Sequence, residues 1–156
     1  LGYRSEFIND TRGEGTMVRR FDSFDAFKGE IPQRVNGVAI AQEEGVCTGY
    51  ALFNIQERVQ MFVEPGTKVY EGLIMGMNSR GEDMVVNPCK AKKVTNMRAA
   101  GSDDAVKLTP ARTFTLEEAL EFINDDELVE ITPDDIRLRK KLLHELERRR
   151  SGRVYE

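Results

Sequence analysis

The sequence predicts an α+β chain, rich in short strands, with a few helices and one long basic loop. Three observations carry that expectation. Apolar runs of a few residues, divided by glycine and proline, fill Pro32 to Val86, the pattern of strands joined by turns. Helical spacing is confined to the two ends, with its clearest start signal at Thr115. The stretch from Asn87 to Leu108 shows neither period and reads as a loop.

In chain order, Leu1–Thr11 sets Leu1, Phe7 and Ile8 around Tyr3 and Arg4 as the body of an amphipathic helix. It stops near Arg12-Gly13, where glycine suits the left-handed residue that ends many helices. Gly15–Phe27 reads as a strand and an excursion, with Met17, Phe21, Phe24 and Phe27 as core candidates. Val35–Gln42 and Val46–Gln56 read as two strands joined in a hairpin by Glu43-Glu44-Gly45. Met61–Val63 and Lys68–Met77 read as a second pair around Glu64-Pro65-Gly66-Thr67, where Pro-Gly is a strong turn signal. Gly72 and Gly76 interrupt that run, as at a bulge or a close backbone approach. Asp83–Val86 is the last strand before the loop.

Beyond the loop, Thr115-Leu116-Glu117-Glu118 has the form of a capping box, in which Thr115 and Glu118 satisfy each other's backbone amides. Leu116, Ala119, Leu120 and Ile123 then share one helical face, until Asn124-Asp125-Asp126 ends it. Leu128–Ile131 reads as a strand. Two readings of 133–150 stand. Thr132-Pro133-Asp134-Asp135 caps a final helix with proline at its first position, or Ile136 and Leu138, alternating with arginines, form a short strand before a helix from about Lys141.

The chain has 156 residues, 40% hydrophobic and 32% charged, enough for one good core with a well-solvated surface. No apolar run approaches the ~18 residues that span a bilayer, and no basic-then-apolar leader opens the chain. Cys47 and Cys89 lack CxxC spacing, which fits a reduced, cytoplasmic compartment. The start at Leu1 rather than methionine suggests a fragment or a processed product.

Charge is distributed unevenly. Residues 1–86 hold 9 basic and 13 acidic side chains, 87–113 hold 6 and 2, 114–133 hold none and 7, and 134–156 hold 8 and 5. Two basic segments therefore flank an acidic one, and local sign matters more than the net −4.

The sequence offers no catalytic constellation. A phosphate-binding P-loop needs GxxxxGK[ST], and the nearest glycine pair, Gly13-Glu14-Gly15, would place a carboxylate in the cradle. His144 is the only histidine, too few for a Cys-His metal site or a Ser-His-Asp triad to be convincing. The carboxylate pairs Asp103-Asp104 and Asp125-Asp126 read as solvated. No metal site is expected.

The basic stretch is the strongest candidate for function. Lys90, Lys92, Lys93 and Arg98 fall between Pro88 and Ala100 without an acidic neighbour, and Asn87, Thr95 and Asn96 add short donors for phosphate or ribose oxygens. That is the footprint of an RNA-facing finger, weighed against a merely solvated Lys-rich loop. Lys107, Arg137, Arg139 and Lys140 are further candidates for phosphate contact, or for surface pairs with the acidic helix. The phenylalanines lie outside the loop, and most read as core rather than as stacking platforms.

Several segments together resemble TypA/BipA-type translational GTPases. They include Leu1-Gly2-Tyr3-Arg4-Ser5-Glu6-Phe7 with Thr11-Arg12-Gly13, Asn36-Gly37-Val38, and Tyr50-Ala51-Leu52-Phe53-Asn54 with Gln56-Glu57-Arg58. Glu64-Pro65-Gly66-Thr67, Asn87-Pro88, Thr95-Asn96, Leu108-Thr109-Pro110, Glu118–Ile123, Asp126–Glu130 and Ile136–Lys140 continue the likeness over nearly the whole chain. The resemblance implies a C-terminal piece of such a protein, with the GTPase domain and its GTP and magnesium upstream, so that this piece is no enzyme and holds no cofactor. It implies that residues 1–31 are the second half of a split β-α-β domain like domain five of elongation factor G. Residues 32–156 would be the family's own ribosome-binding domain. The implied partners are the ribosome, through large-subunit rRNA and the acceptor end of A-site tRNA, and the upstream domains, with no membrane.

Lys90, Lys92, Asn96, Arg98 and Gly101 fall on the family's loop pattern, and Lys93 is added from local charge. Ala91 departs from the pattern where glycine is common, and Asp104 where glutamate is. The alternative is a protein-interaction domain that uses the acidic Glu117–Glu130 face.

Overall fold

The computed structural model describes residues 4, 7–8, 11–26, 34–91 and 107–152. Its elements run β1 (Val38–Ala41), β2 (Gly45–Val46), α1 (Gly49–Ile55), β3 (Val59–Met61), β4 (Lys68–Val69), β5 (Ile74–Asn78) and β6 (Met84–Val86). Then come α2 (Leu116–Phe122), β7 (Glu127–Ile131), β8 (Ile136–Lys140) and α3 (Glu145–Gly152). The fold is α+β.

Every residue of β1 is buried, which requires a sheet covered on both faces. The strand order β3-β5-β1-β6 supplies the sheet, with β3/β5 and β5/β1 antiparallel and β1/β6 parallel. Alternate residues of β1 then serve different layers. Ala39 and Ala41 face a core with Leu52 of α1, Val69 of β4, Cys47 and Val86. Val38 and Ile40 face a second core with Ala119 of α2 and Leu138 of β8, closed by Phe62, Phe114 and Phe122. These three rings pack edge-on or tilted at centroid distances of 4.7 to 5.4 Å, the geometry favoured by the ring quadrupole. Phe62, Phe114 and Phe122 are therefore core, as expected, whereas Phe21, Phe24 and Phe53 are exposed.

The capping box at Thr115 forms, with Glu118 N–H donating to the Thr115 hydroxyl and Thr115 N–H to the Glu118 carboxylate. Of the two readings of 133–150, strand then helix is right. β8 pairs with β7 in full antiparallel register, and α3 begins at Glu145 rather than near Lys141. Gly76 sits where a Cβ would collide with the Gln60 carbonyl. Beside it the β1 ladder skips Met75, so Ala39 faces Gly76 and Ile40 faces Ile74, a bulge and a close approach together.

Three expectations need correction. The hairpin between 35–42 and 46–56 does not form. β2 pairs instead with β4, and 49–55 is helical. Thr48 explains the helix, because its hydroxyl accepts the Ala51 amide at 3.1 Å in an N-cap that a strand could not use. The second pair forms in part, since Met61 faces Gly76 and the Phe62 amide donates to the Met75 carbonyl, but the turn at Pro65-Gly66 leads first into β4, which pairs with β2 instead. Finally, 14–26 contains no strand, and Phe24 is 95% exposed with Phe21 packed edge-on against it. A strand needs ladder partners, and no described residue offers one. Met17 is half-buried, while Phe27 lies outside the described residues. The N-terminal helix is described only at Arg4, Phe7 and Ile8, and a turn over 11–13 follows it, with Arg12 at φ +52° and Gly13 at φ +83°.

Candidate nucleic-acid interface

Helix α1 holds both feet of the basic loop. At its N-terminus the Thr48 hydroxyl donates to the Lys90 carbonyl at 2.7 Å, and Thr48 N–H donates to the Pro88 carbonyl at 3.0 Å. At its C-terminus the Gln56 side chain donates to the Lys107 carbonyl at 3.0 Å and accepts the Thr109 amide at 2.9 Å. The two feet are thus set about 12 Å apart by eight residues of helical rise. Pro88 is buried, and Cys89 and Leu108 pack against the core under α1. The ends of the loop are anchored in the body of the protein by ordinary packing.

Lys90 and Lys107 are exposed at these feet, and neither makes an ion pair with a described residue. Asn87 is committed internally, since its amide donates to Glu43 at 2.6 Å and its carbonyl accepts the Cys89 amide at 2.9 Å. It shapes the entry of the loop. Lys92, Lys93, Thr95, Asn96, Arg98 and Gly101 lie outside the described residues.

The remaining candidates are not part of this constellation. Arg137 and Arg139 belong to β8, in the layer over the opposite face of the sheet. Arg137 pairs with Asp135 at 3.3 Å, and its cross-strand partner is Glu130. Tyr70 donates its hydroxyl to that same Glu130, and burial, then this bond, push the phenol well above its ordinary pKa.

Lys140 is not free to meet a phosphate. It is 2% exposed, and its ammonium contacts Asp83 at 2.6 Å, Asp126 at 2.7 Å and Glu127 at 2.9 Å. Glu127 is fully buried and accepts a two-pronged bond from Arg34 at 2.6 and 2.9 Å, as well as the Asn124 amide. Arg34 also lies over the Phe122 ring at 4.5 Å. Burial works against charge on both Glu127 and Lys140, but their partners outweigh it. Glu127 is held below the usual carboxylate range and Lys140 above the usual amine range. This knot ties the sheet to α2 and β7–β8, and it is structural.

Sequence reasoning missed α1 as the clamp and Lys140 as a core residue. The first had a local signal in Thr48. The second had none, because its partners come from 83, 126 and 127.

The family model for the TypA/BipA C-terminal domain matches residues 36–145, which include every element from β1 to β8 and the whole loop. The chain belongs to the TypA/BipA family. Its similarity to curated members is extensive. The large ribosomal subunit assembly factor BipA of Haemophilus influenzae is 50% identical over 155 residues, 99% of this chain and 25% of the relative. The protein of the same name from Buchnera aphidicola (Schizaphis graminum) is 51% identical over 98% of this chain and 25% of the relative. That of Escherichia coli K12 is 49% identical over 99% and 26%. The chain thus spans about a quarter of the length of the curated relatives it matches. In TypA/BipA terms, the clamp on α1 and the exposed lysines it presents belong to the C-terminal domain.

Proposed function

We propose that this chain supplies a TypA/BipA protein's grip on the large ribosomal subunit. It docks at the A site, with the 87–108 loop against large-subunit rRNA and the acceptor end of tRNA. One observation carries the reading: α1 pins both feet of a cationic loop and leaves Lys90 and Lys107 exposed, with no carboxylate partner among the described residues. The printed name of the relatives, large ribosomal subunit assembly factor, supports the choice of partner. Lys90, Lys92, Lys93 and Arg98 neutralise phosphates, Thr95, Asn96 and Gly101 let the backbone follow the RNA, and Lys107 extends the contact at the second foot.

In this reading the chain performs no chemistry and works in the cytoplasm. GTP and magnesium belong to the length of the relatives that it does not span. Among the described residues no helix is long and apolar enough to cross a membrane, and no cluster of side chains is suited to a metal ion.

Chemical footprinting of ribosomes tests the reading. The chain should protect A-site nucleotides of large-subunit RNA, and deletion of residues 90–106 should remove that protection. Undiminished protection after the deletion would refute the loop's role. Loss of binding on reversing Glu117 and Glu121, with the loop intact, would favour protein recruitment instead.

A further inference from the structure

The outer surface of α1 carries more than the clamp. Tyr50 is 40% exposed and Phe53 44% exposed. Three residues apart on a helix, they are surface neighbours. The helix does not need them for anchorage, because Ala51 and Leu52 are its buried residues and Thr48 and Gln56 fix its ends. The Asn54 side chain bonds back to the Tyr50 carbonyl at 2.7 Å, which stiffens the turn that bears both rings. The only charges in 49–58 are Glu57 and Arg58, which offset each other.

The same helix is bracketed by the exposed lysines Lys90 and Lys107, tied to its two ends. A bare apolar face would suit many partners. Flat rings between two exposed cations that pair with no described carboxylate select a ligand that has both π-faces and an anionic backbone, and single-stranded nucleic acid has both.

We propose that Tyr50 and Phe53 form a stacking platform for an unpaired nucleotide of the RNA whose phosphates meet the loop and its feet. This rests on the RNA-binding reading above and adds a base-contacting surface that charge alone does not supply. The loop would contribute the salt-dependent part of binding, and the rings a salt-independent part.

The probe is a single-stranded oligoribonucleotide carrying a fluorescent adenine analogue, titrated with the chain over a range of salt. Stacking on an aromatic ring should quench the analogue. Replacing both rings together (Tyr50→Leu, Phe53→Leu) should abolish the quenching and weaken binding roughly tenfold, with the slope of log affinity against log salt unchanged. Exchanging the rings (Tyr50→Phe, Phe53→Tyr) should preserve both signals and show that the helix tolerates substitution. Undiminished quenching and affinity in the double leucine variant would overturn the platform while leaving the loop's role intact. Binding by the unaltered chain that ignores salt would overturn the platform together with the reading on which it rests. A salt-independent dimer in sedimentation that the leucines dissolve would assign the face to a second copy and overturn the proposal.

Discussion

Replacing Gln56 with alanine should loosen one foot of the loop without unfolding the protein. The side chain makes two hydrogen bonds to that foot, to the Lys107 carbonyl at 3.0 Å and from the Thr109 amide at 2.9 Å. A hydrogen bond contributes about 0.5–1.5 kcal/mol net, and both of these are exposed, where water substitutes for the lost partner. The combined local loss is therefore about 1–2 kcal/mol, at the lower end of the range for two bonds. At 1.4 kcal/mol per factor of ten, the Thr109 amide should exchange with solvent about five- to thirtyfold faster. Native-state hydrogen exchange reads this directly. The Arg112 amide, bonded to the Met61 carbonyl at 2.8 Å, and the Gln56 amide, bonded to Leu52 at 2.9 Å, are the controls and should not change. Unaltered exchange at Thr109 would refute the clamp. Uniform acceleration of all three amides would mean that Gln56 supports the fold rather than the foot.

The buried ionic knot and the start of α3 give two further expectations. Glu127→Gln leaves Arg34 without its charged partner in a buried setting and should cost about 3–5 kcal/mol in denaturant unfolding; a loss under about 1 kcal/mol would contradict the structural role. Because Glu127 is held below the ordinary carboxylate value of 4.5, its contribution is present above that pH and disappears as pH falls through the lower folded value. The variant should therefore lose less stability than the parent below pH 4.5. His144 contacts Glu71 at 2.8 Å, and that hydrogen bond, then the carboxylate's charge, raise its pKa above 6.5. Its contribution is present below 6.5 and fades as pH rises through the raised value. The Glu145 amide, also bonded to Glu71, should open more readily at pH 9 than at pH 6 once intrinsic exchange is corrected, and His144→Asn should remove the difference.

How much of this was readable depended on whether the signal was local. Thr115 and Glu118 announce their helix in four residues, and alternation of Ile136 and Leu138 with arginines marks β8 correctly. Val46–Gln56 misled because seven helical residues in a dense apolar run show no decisive period. There Thr48 carries the information, without the glutamate that would complete a capping box. Phe21 and Phe24 misled because aromatic content argues for a core only when something covers it.

Lys140 was hidden in an Arg-Lys-Lys run, where charge suggests a surface. The three carboxylates that justify its burial approach from other elements, two of them over a turn and one from before β6. For the candidate interface, the sequence marks the cations and their spacing, while the helix that carries both feet emerges only in three dimensions.

The salt dependence of binding to isolated large ribosomal subunits tests the central claim most directly. If Lys90, Lys92, Lys93 and Arg98 neutralise four phosphates, log affinity should fall with log salt at a slope of about −3, at roughly −0.7 per phosphate for single strands. Their joint replacement by alanine should flatten most of it. A slope that survives the four substitutions would contradict the account.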